Sequence, residues 1–461
     1  MASRDLQGFE TRLASATSCP DSDLSWLPAW RIRDLVASRA ISPIEVVEHF
    51  LRRIDALEPR LHAFRIVDAD GARAQAKGAE AAIMRGEEVG PLHGVPIAAK
   101  AVLAIKGLPW ADMGVDVGTA SEDAMEIERL RAAGAIIVGP TVAGLTAREF
   151  GDSDRAPLNP WDTRRVCGDS SGGSACAAAA GMVPVTIGGD GFGSTRAPAA
   201  FCGLLGLRPT RGRVPSFEWG TLQTRPMTSY GPMTRDMRDA ALLLQAMAGP
   251  DGRDLMCLQS DAPDYLALIG KDIRGMRLAW SDDFGFGAQF AVQETGRVIE
   301  TVRASALRLR QIGADVEALD VAIEDPFLAG NAWVASDAAL SSDYDLGLKP
   351  PTRAQIRAAR ESRLRIWSAF REITERNDFI LSPTTLEIAP TRQQWAIDGI
   401  PPNFRGTYLC LTAYANLIGW PALSVPVGLV DGMPIGLQIM GRPDSEPRMF
   451  QLAQALLSLQ E

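Results

Sequence analysis

Apolar side chains recur every three or four positions through "ISPIEVVEHFLRRIDAL", residues 41–57, the spacing of one face of an α-helix. Ser42 stands before Pro43 and is followed three residues later by Glu45, a capping box that predicts where this helix begins. "ADGARAQAKGAEAAIMRG" predicts a second helix. The pattern then changes. "GVPIAAKAVLAI" is short, continuously apolar and punctuated by Gly94 and Pro96, as expected of a strand buried on both faces. "GAIIVG" and "VPVTIG" read the same way, each after helical sequence. This alternation predicts an α/β fold with a sheet covered on both faces. From about residue 215 to 400 the pattern loosens into helical pieces and Pro-rich connections such as "SPTTLEIAPTRQQW" and "DGIPPNF". Short strands with Gly and Pro turns return in "YANLIGWPALSVPVGLVDGMPIGLQIMG". No repeat or linker divides the chain, so one domain spanning 1–461 is expected.

Composition narrows the classes. Hydrophobic residues make up 46% and charged residues 22%, the balance of a folded globule. The net charge is −9 and the basic residues are scattered, which argues against nucleic acid or an anionic membrane surface as partner. No run of 18 apolar residues occurs, and "MASRDLQGFETRLASATSCPDSD" lacks the apolar core of a signal peptide, so a cytoplasmic protein is expected. Cys19, Cys167, Cys176, Cys202, Cys257 and Cys410 form no C-x-x-C pair and no metal-type spacing. Free buried thiols and no metal or other cofactor are expected.

The chemistry concentrates in "GDSSGGSACAAAAGMVPVTIGGDGFGSTRAPAAFCG", residues 168–203, with four serines among small residues and no histidine. Residues 168–172 fit G-x-S-x-G, but that nucleophile elbow needs a histidine downstream, and His49, His62 and His93 all lie upstream. "GDSSGG" also resembles a serine-protease loop, whose histidine does come first. His49, however, belongs to the helix "EVVEHF" and His62 to a polar stretch, so all three are read as structural. A serine nucleophile still needs a base. Of Lys77, Lys100, Lys106, Lys271 and Lys349, only Lys100 sits inside an apolar run. Burial lowers the pKa of an amine, and a neutral lysine is a competent general base. The alternative is a lysine that snorkels from a strand end.

Taken together, "PLHGVPIAAK", "LNPWDTRRVCGDSSGGS", the glycine- and serine-rich stretch through "DGFGSTRAPAAFCGLLGLRPTRGRVP", "GPMTRDMRDAALLLQAMAG" and "ANLIGWPALSVPVG" with "GMPIGLQIMG" resemble the amidase signature family. The resemblance covers most of the chain and is weak between about 250 and 400. It implies a large mixed, twisted β-sheet covered by helices. The expected signature core spans about 65–240 plus 405–461, and the variable substrate or lid region about 250–405. It also implies a Ser–cis-Ser–Lys triad, with Ser194 as nucleophile, Ser170 as the bridging serine and Lys100 as base. Backbone N–H groups of Gly191, Phe192 and Gly193 would form the oxyanion hole. Ser171, Ser174, Asp190 and Arg196 would support the loop. The implied reaction is amide hydrolysis through an acyl-enzyme.

Three stretches depart from the family pattern. Ala101-Val102 replaces Asp-Asn after the lysine, Gly191-Phe192-Gly193 replaces Thr-Gly-Gly, and Gly139-Pro140-Thr141-Val142 replaces the "GKTN" loop. None removes a triad member. They favour a stand-alone hydrolase of a small-molecule amide or carbamate, in the manner of aryl acylamidases and urethanases, acting as monomer or homodimer. The alternative is a partner-dependent subunit of an amidotransferase-type complex. Phe192 either lines the pocket or packs behind the loop.

Overall fold

The computed structural model describes residues 24–112, 115–144, 156–216, 227–332, 350–397 and 409–460. Its centre is a ten-stranded mixed sheet. In chain order the strands are β1 (Pro96–Lys100), β2 (Ile136–Thr141), β3 (Val185–Asp190), β4 (Leu205–Arg208) and β5 (Ser229–Thr234). The remaining strands are β6 (Arg277–Trp280), β7 (Asp315–Ala318), β8 (Phe379–Pro383), β9 (Ala422–Val430) and β10 (Met433–Met440). Their spatial order is β7-β6-β8-β10-β9-β4-β5-β3-β1-β2. β2, β1 and β3 run parallel at one end and β8, β6 and β7 at the other. The pairings between those two ends are antiparallel.

Alternate residues of one strand enter different cores. Ile97 and Ala99 of β1 join the larger hydrophobic cluster, while Ala98 joins a second one with Ile136 and Val138 of β2. With apolar matter on both sides, period-two alternation of polar and apolar residues has no cause to appear. That accounts for the unbroken apolar runs in these segments.

The capping box forms as expected. The Ile44 N–H donates to Ser42 Oγ at 3.0 Å and the Ser42 N–H to Glu45 Oε2 at 2.9 Å, opening the helix Pro43–Leu61. The second predicted helix runs Ala69–Met84. Two readings need correction. "GVPIAAKAVLAI" is strand only as far as Lys100, after which residues 101–103 leave the sheet in turns. The weakly patterned stretch beyond 250 is no mere appendage, because it supplies β6, β7 and β8 and the 24-residue helix Arg353–Arg376. Four- and five-residue strands such as "RLAW" are too short to show a period.

Cys167, Cys176, Cys202, Cys257 and Cys410 are free and buried; Cys19 lies outside the described residues. Each histidine is held by a structural bond, His49 with Ser25, His62 with the Pro59 carbonyl and His93 with the Ala79 carbonyl. No described helix is long and apolar enough to cross a membrane.

Candidate functional site

β1 and β3 are parallel neighbours, Ala99 beside Ile187, so their carboxyl ends open on the same edge. Ligands of open α/β sheets collect at such ends. β1 ends on Lys100, and β3 ends on Asp190, from which the chain turns through 191–194. One strand therefore carries the expected base and its neighbour leads into the expected nucleophile.

The serine loop lies across this edge. The Asp169–Ser170 peptide bond is cis. Lys100 is 4% exposed, and its Nζ stands 2.5 Å from Ser170 Oγ and 3.2 Å from the Gly189 carbonyl. The Gly144 N–H donates to the Ser170 carbonyl at 2.8 Å, and the Ser171 N–H to the Ser194 carbonyl at 3.2 Å. Lys100, Ser170 and the Ser194 backbone are thus brought together from three separate parts of the chain. The Lys100 contacts favour the buried-base geometry over a snorkelling side chain.

Ser171 and Ser174 tie the loop to β3. The Gly189 N–H donates to Ser171 Oγ at 3.2 Å, and Ser174 Oγ donates to the Ile187 carbonyl at 3.0 Å. Ser174 also meets Thr141 Oγ1 at 2.7 Å. The helix that follows, Gly172–Ala179, is buried at every residue. Its serine, alanine and cysteine side chains are small enough to let it lie against β1 and β3.

Asp190 and Arg196 form a buried ion pair, both 0% exposed. Arg196 Nε and Nη2 each donate to the carboxylate at 2.9 Å. Burial alone would push the Asp190 carboxyl up; the Arg196 guanidinium and the Asn416 amide override it and hold it at about 2. The carboxylate also accepts the Gly193 N–H at 2.7 Å. That contact corrects one expectation. A hydrogen already given to a buried carboxylate is not offered to an oxyanion, so the Gly193 amide braces the loop. Gly193 itself has φ +124°, and a Cβ there would lie 2.0 Å from Thr412 Oγ1. Only glycine fits.

Three residues with no role expected from sequence complete the support. Arg196 donates to Asn416 Oδ1 and Gln438 Oε1, both at 2.6 Å, and to the Thr412 carbonyl at 3.0 Å. Asn416 returns a hydrogen bond to Asp190 Oδ1 at 2.9 Å. Thr412 Oγ1 donates to the Phe192 carbonyl at 2.7 Å. The blocks "ANLIGWP" and "GLQIMG" mark Asn416 and Gln438 as family sequence, but nothing local shows what they touch.

Beside the relay, burial pushes the Asp169 carboxyl up to about 6, with the Lys100 charge acting in the opposite sense. Among the described residues no group of three or more His, Cys, Asp or Glu is placed to hold a metal ion.

A relay of lysine and serine behind a glycine-rich nucleophile loop defines an amide-hydrolase class of site, and the family model Amidase matches residues 45–351 and 346–450. The chain belongs to the amidase signature family. It is 33% identical over 470 residues to the amidase-type subunit of glutamyl-tRNA(Gln) amidotransferase from Roseiflexus castenholzii, covering 92% of this chain and 94% of that protein. Among solved structures it resembles a bacterial aryl acylamidase of the amidase signature family, with TM-score 0.83 and 27% identity over 94% of this chain and 96% of that one. The same glutamyl-tRNA(Gln) amidotransferase component from Thermotoga maritima superimposes with TM-score 0.75 at 26% identity, over 95% of each chain. The protein is an amidase-family hydrolase of C–N bonds. The sequence relatives weigh toward the partner-dependent alternative, against the preference drawn from the three departures.

Proposed function

We propose that this chain cleaves carboxamide C–N bonds by acyl transfer, with Ser194 as nucleophile, Ser170 as proton relay and Lys100 as base. The observation that carries the reading is the 2.5 Å contact between buried Lys100 Nζ and Ser170 Oγ, beside a loop hydrogen-bonded to Ser194. Neutral Lys100 takes the Ser170 proton while Ser170 Oγ takes that of Ser194. The Ser194 oxygen then bonds to the substrate carbonyl carbon. The resulting oxyanion is held by the backbone N–H groups of Gly191 and Phe192. The proton returns through Ser170 to the nitrogen, the C–N bond breaks, and the amine leaves neutral. Water, deprotonated by the same relay, releases the acyl group. Asp190, Arg196, Asn416 and Thr412 hold the loop in place and take no part in the proton transfers.

Two settings fit this chemistry. The amidotransferase relatives support a role in freeing ammonia from an amide donor such as glutamine for a partner. An apolar wall supports a stand-alone hydrolase of anilides or aryl carbamates: Phe192 precedes the nucleophile, and the Leu409 side chain comes within 3.1 Å of where a Gly193 Cβ would stand. The identity to the relatives favours the first setting. The purified chain alone is assayed for ammonia from glutamine, with and without amidotransferase partner proteins, and for amine release from anilides and carbamates. Glutamine turnover only with partners establishes the first; anilide or carbamate turnover by the lone chain establishes the second. No turnover in either arm refutes the proposed chemistry.

A further inference from the structure

Phe192 and Ser194 are both half-buried, while Gly193 between them is buried. The backbone around Phe192 has no room to adjust. Thr412 Oγ1 holds its carbonyl, Asp190 holds the next N–H, and Thr412 fills the space beside Gly193. Only the ring can move. It reaches the helical turn 326–332 at Gly330, where an added Cβ would lie 2.4 Å from Phe192 Cε1 and 2.6 Å from Cζ. That turn is itself anchored, since Phe327 packs with Phe286 and Phe290 at ring-centroid distances of 6.2 and 6.3 Å.

We infer that Gly330 is a specificity-determining residue of the acyl cleft, because its missing side chain is what allows the Phe192 ring to lie back against residues 326–332. A side chain at 330 would turn the ring away from the helix and into the space outside Ser194. Phe192 is then a cleft wall whose position is set from a helix more than 130 residues downstream in the sequence. The inference rests on Ser194 being the nucleophile and deepens that reading to the shape of the group it accepts.

The test uses the full chain and two fluorophosphonates, one with a small alkyl group and one with a biphenyl arm, so no substrate need be known. Gly330→Ala should slow labelling of Ser194 by the biphenyl probe about tenfold relative to the alkyl probe. Phe192→Ala should speed the biphenyl probe, and Phe192→Ala/Gly330→Ala should match Phe192→Ala alone. Alanine is the better helix former, so Gly330→Ala does not endanger the turn, and an unchanged thermal midpoint verifies this. Equal slowing of both probes by Gly330→Ala, or a Gly330 effect that survives in the Phe192→Ala background, overturns the inference. Failure of either probe to label wild-type Ser194 instead refutes the nucleophile, and the inference with it.

Discussion

Replacing Asp190 by Asn keeps the shape of the side chain and removes its charge. In the native chain this carboxylate accepts the Gly193 N–H at 2.7 Å, the Thr195 N–H at 3.3 Å, two Arg196 N–H groups at 2.9 Å and the Asn416 amide at 2.9 Å. Asparagine has one oxygen for these donors and turns its own NH₂ toward the rest. Arg196, 0% exposed, is left charged without a counter-ion. Breaking a buried pair from one side costs about 3–5 kcal/mol, against a total stability of about 5–15 kcal/mol. The variant should fold, with a urea midpoint well below that of the native chain at pH 7. The Gly193 amide loses its anchor in the same step, and displacement of the nucleophile by about 1 Å costs about 100-fold in rate. That loss should appear in kcat rather than KM.

The pH dependence supplies a second readout of the same substitution. A carboxyl at about 2 in the native state and about 3.9 unfolded contributes about 2.6 kcal/mol. Because the native pKa is the lower one, the contribution is complete above pH 4 and disappears as pH falls toward 2. The stability difference between native chain and Asp190→Asn should therefore narrow over that interval. A variant within about 1 kcal/mol of the native chain at pH 7, with kcat reduced less than tenfold, would refute the bracing role.

Ser194→Ala should abolish turnover and fluorophosphonate labelling with the thermal midpoint unchanged; labelling of another serine with full loss of activity would reassign the nucleophile. Lys100→Ala and Ser170→Ala should each cost several orders of magnitude and the double variant little more than the worse single one. Losses that multiply would contradict a shared relay. Burial pushes the Glu126 carboxyl up to about 7. Between its unfolded value and that pH the native state keeps a proton that the unfolded chain has lost, so stability falls as pH rises through the window. Glu126→Gln should accordingly gain up to about 3 kcal/mol over the native chain at pH 8 and little near pH 4.5, read from thermal midpoints at both; an equal gap at the two pH values would refute it.

Much of this molecule is legible in one dimension because the causes are local. The Ser42 cap, the amphipathic helix behind it and the three buried strands follow from contacts within a few residues. Lys100 stands out because an amine in an apolar run is costly wherever the run is placed. The glycines and alanines of 168–203 announce a crowded loop without saying what crowds it.

What sequence could not reveal is which distant groups come to meet that loop. β6, β7 and β8 are too short to carry a period and become strands by hydrogen bonding to neighbours already in place. Asn416 and Gln438 join Arg196 across 220 and 242 residues of chain, and polar side chains in apolar strands and helices carry no mark of their partner. The Gly193 amide shows the same limit: whether it faces an oxyanion or Asp190 depends on the turn of one peptide plane. Local interactions, then, determined the elements and the reactive residue types from sequence alone. The tertiary structure decided which donor meets which acceptor, because burial removes water as an alternative partner and leaves each polar group only those that the fold brings within reach.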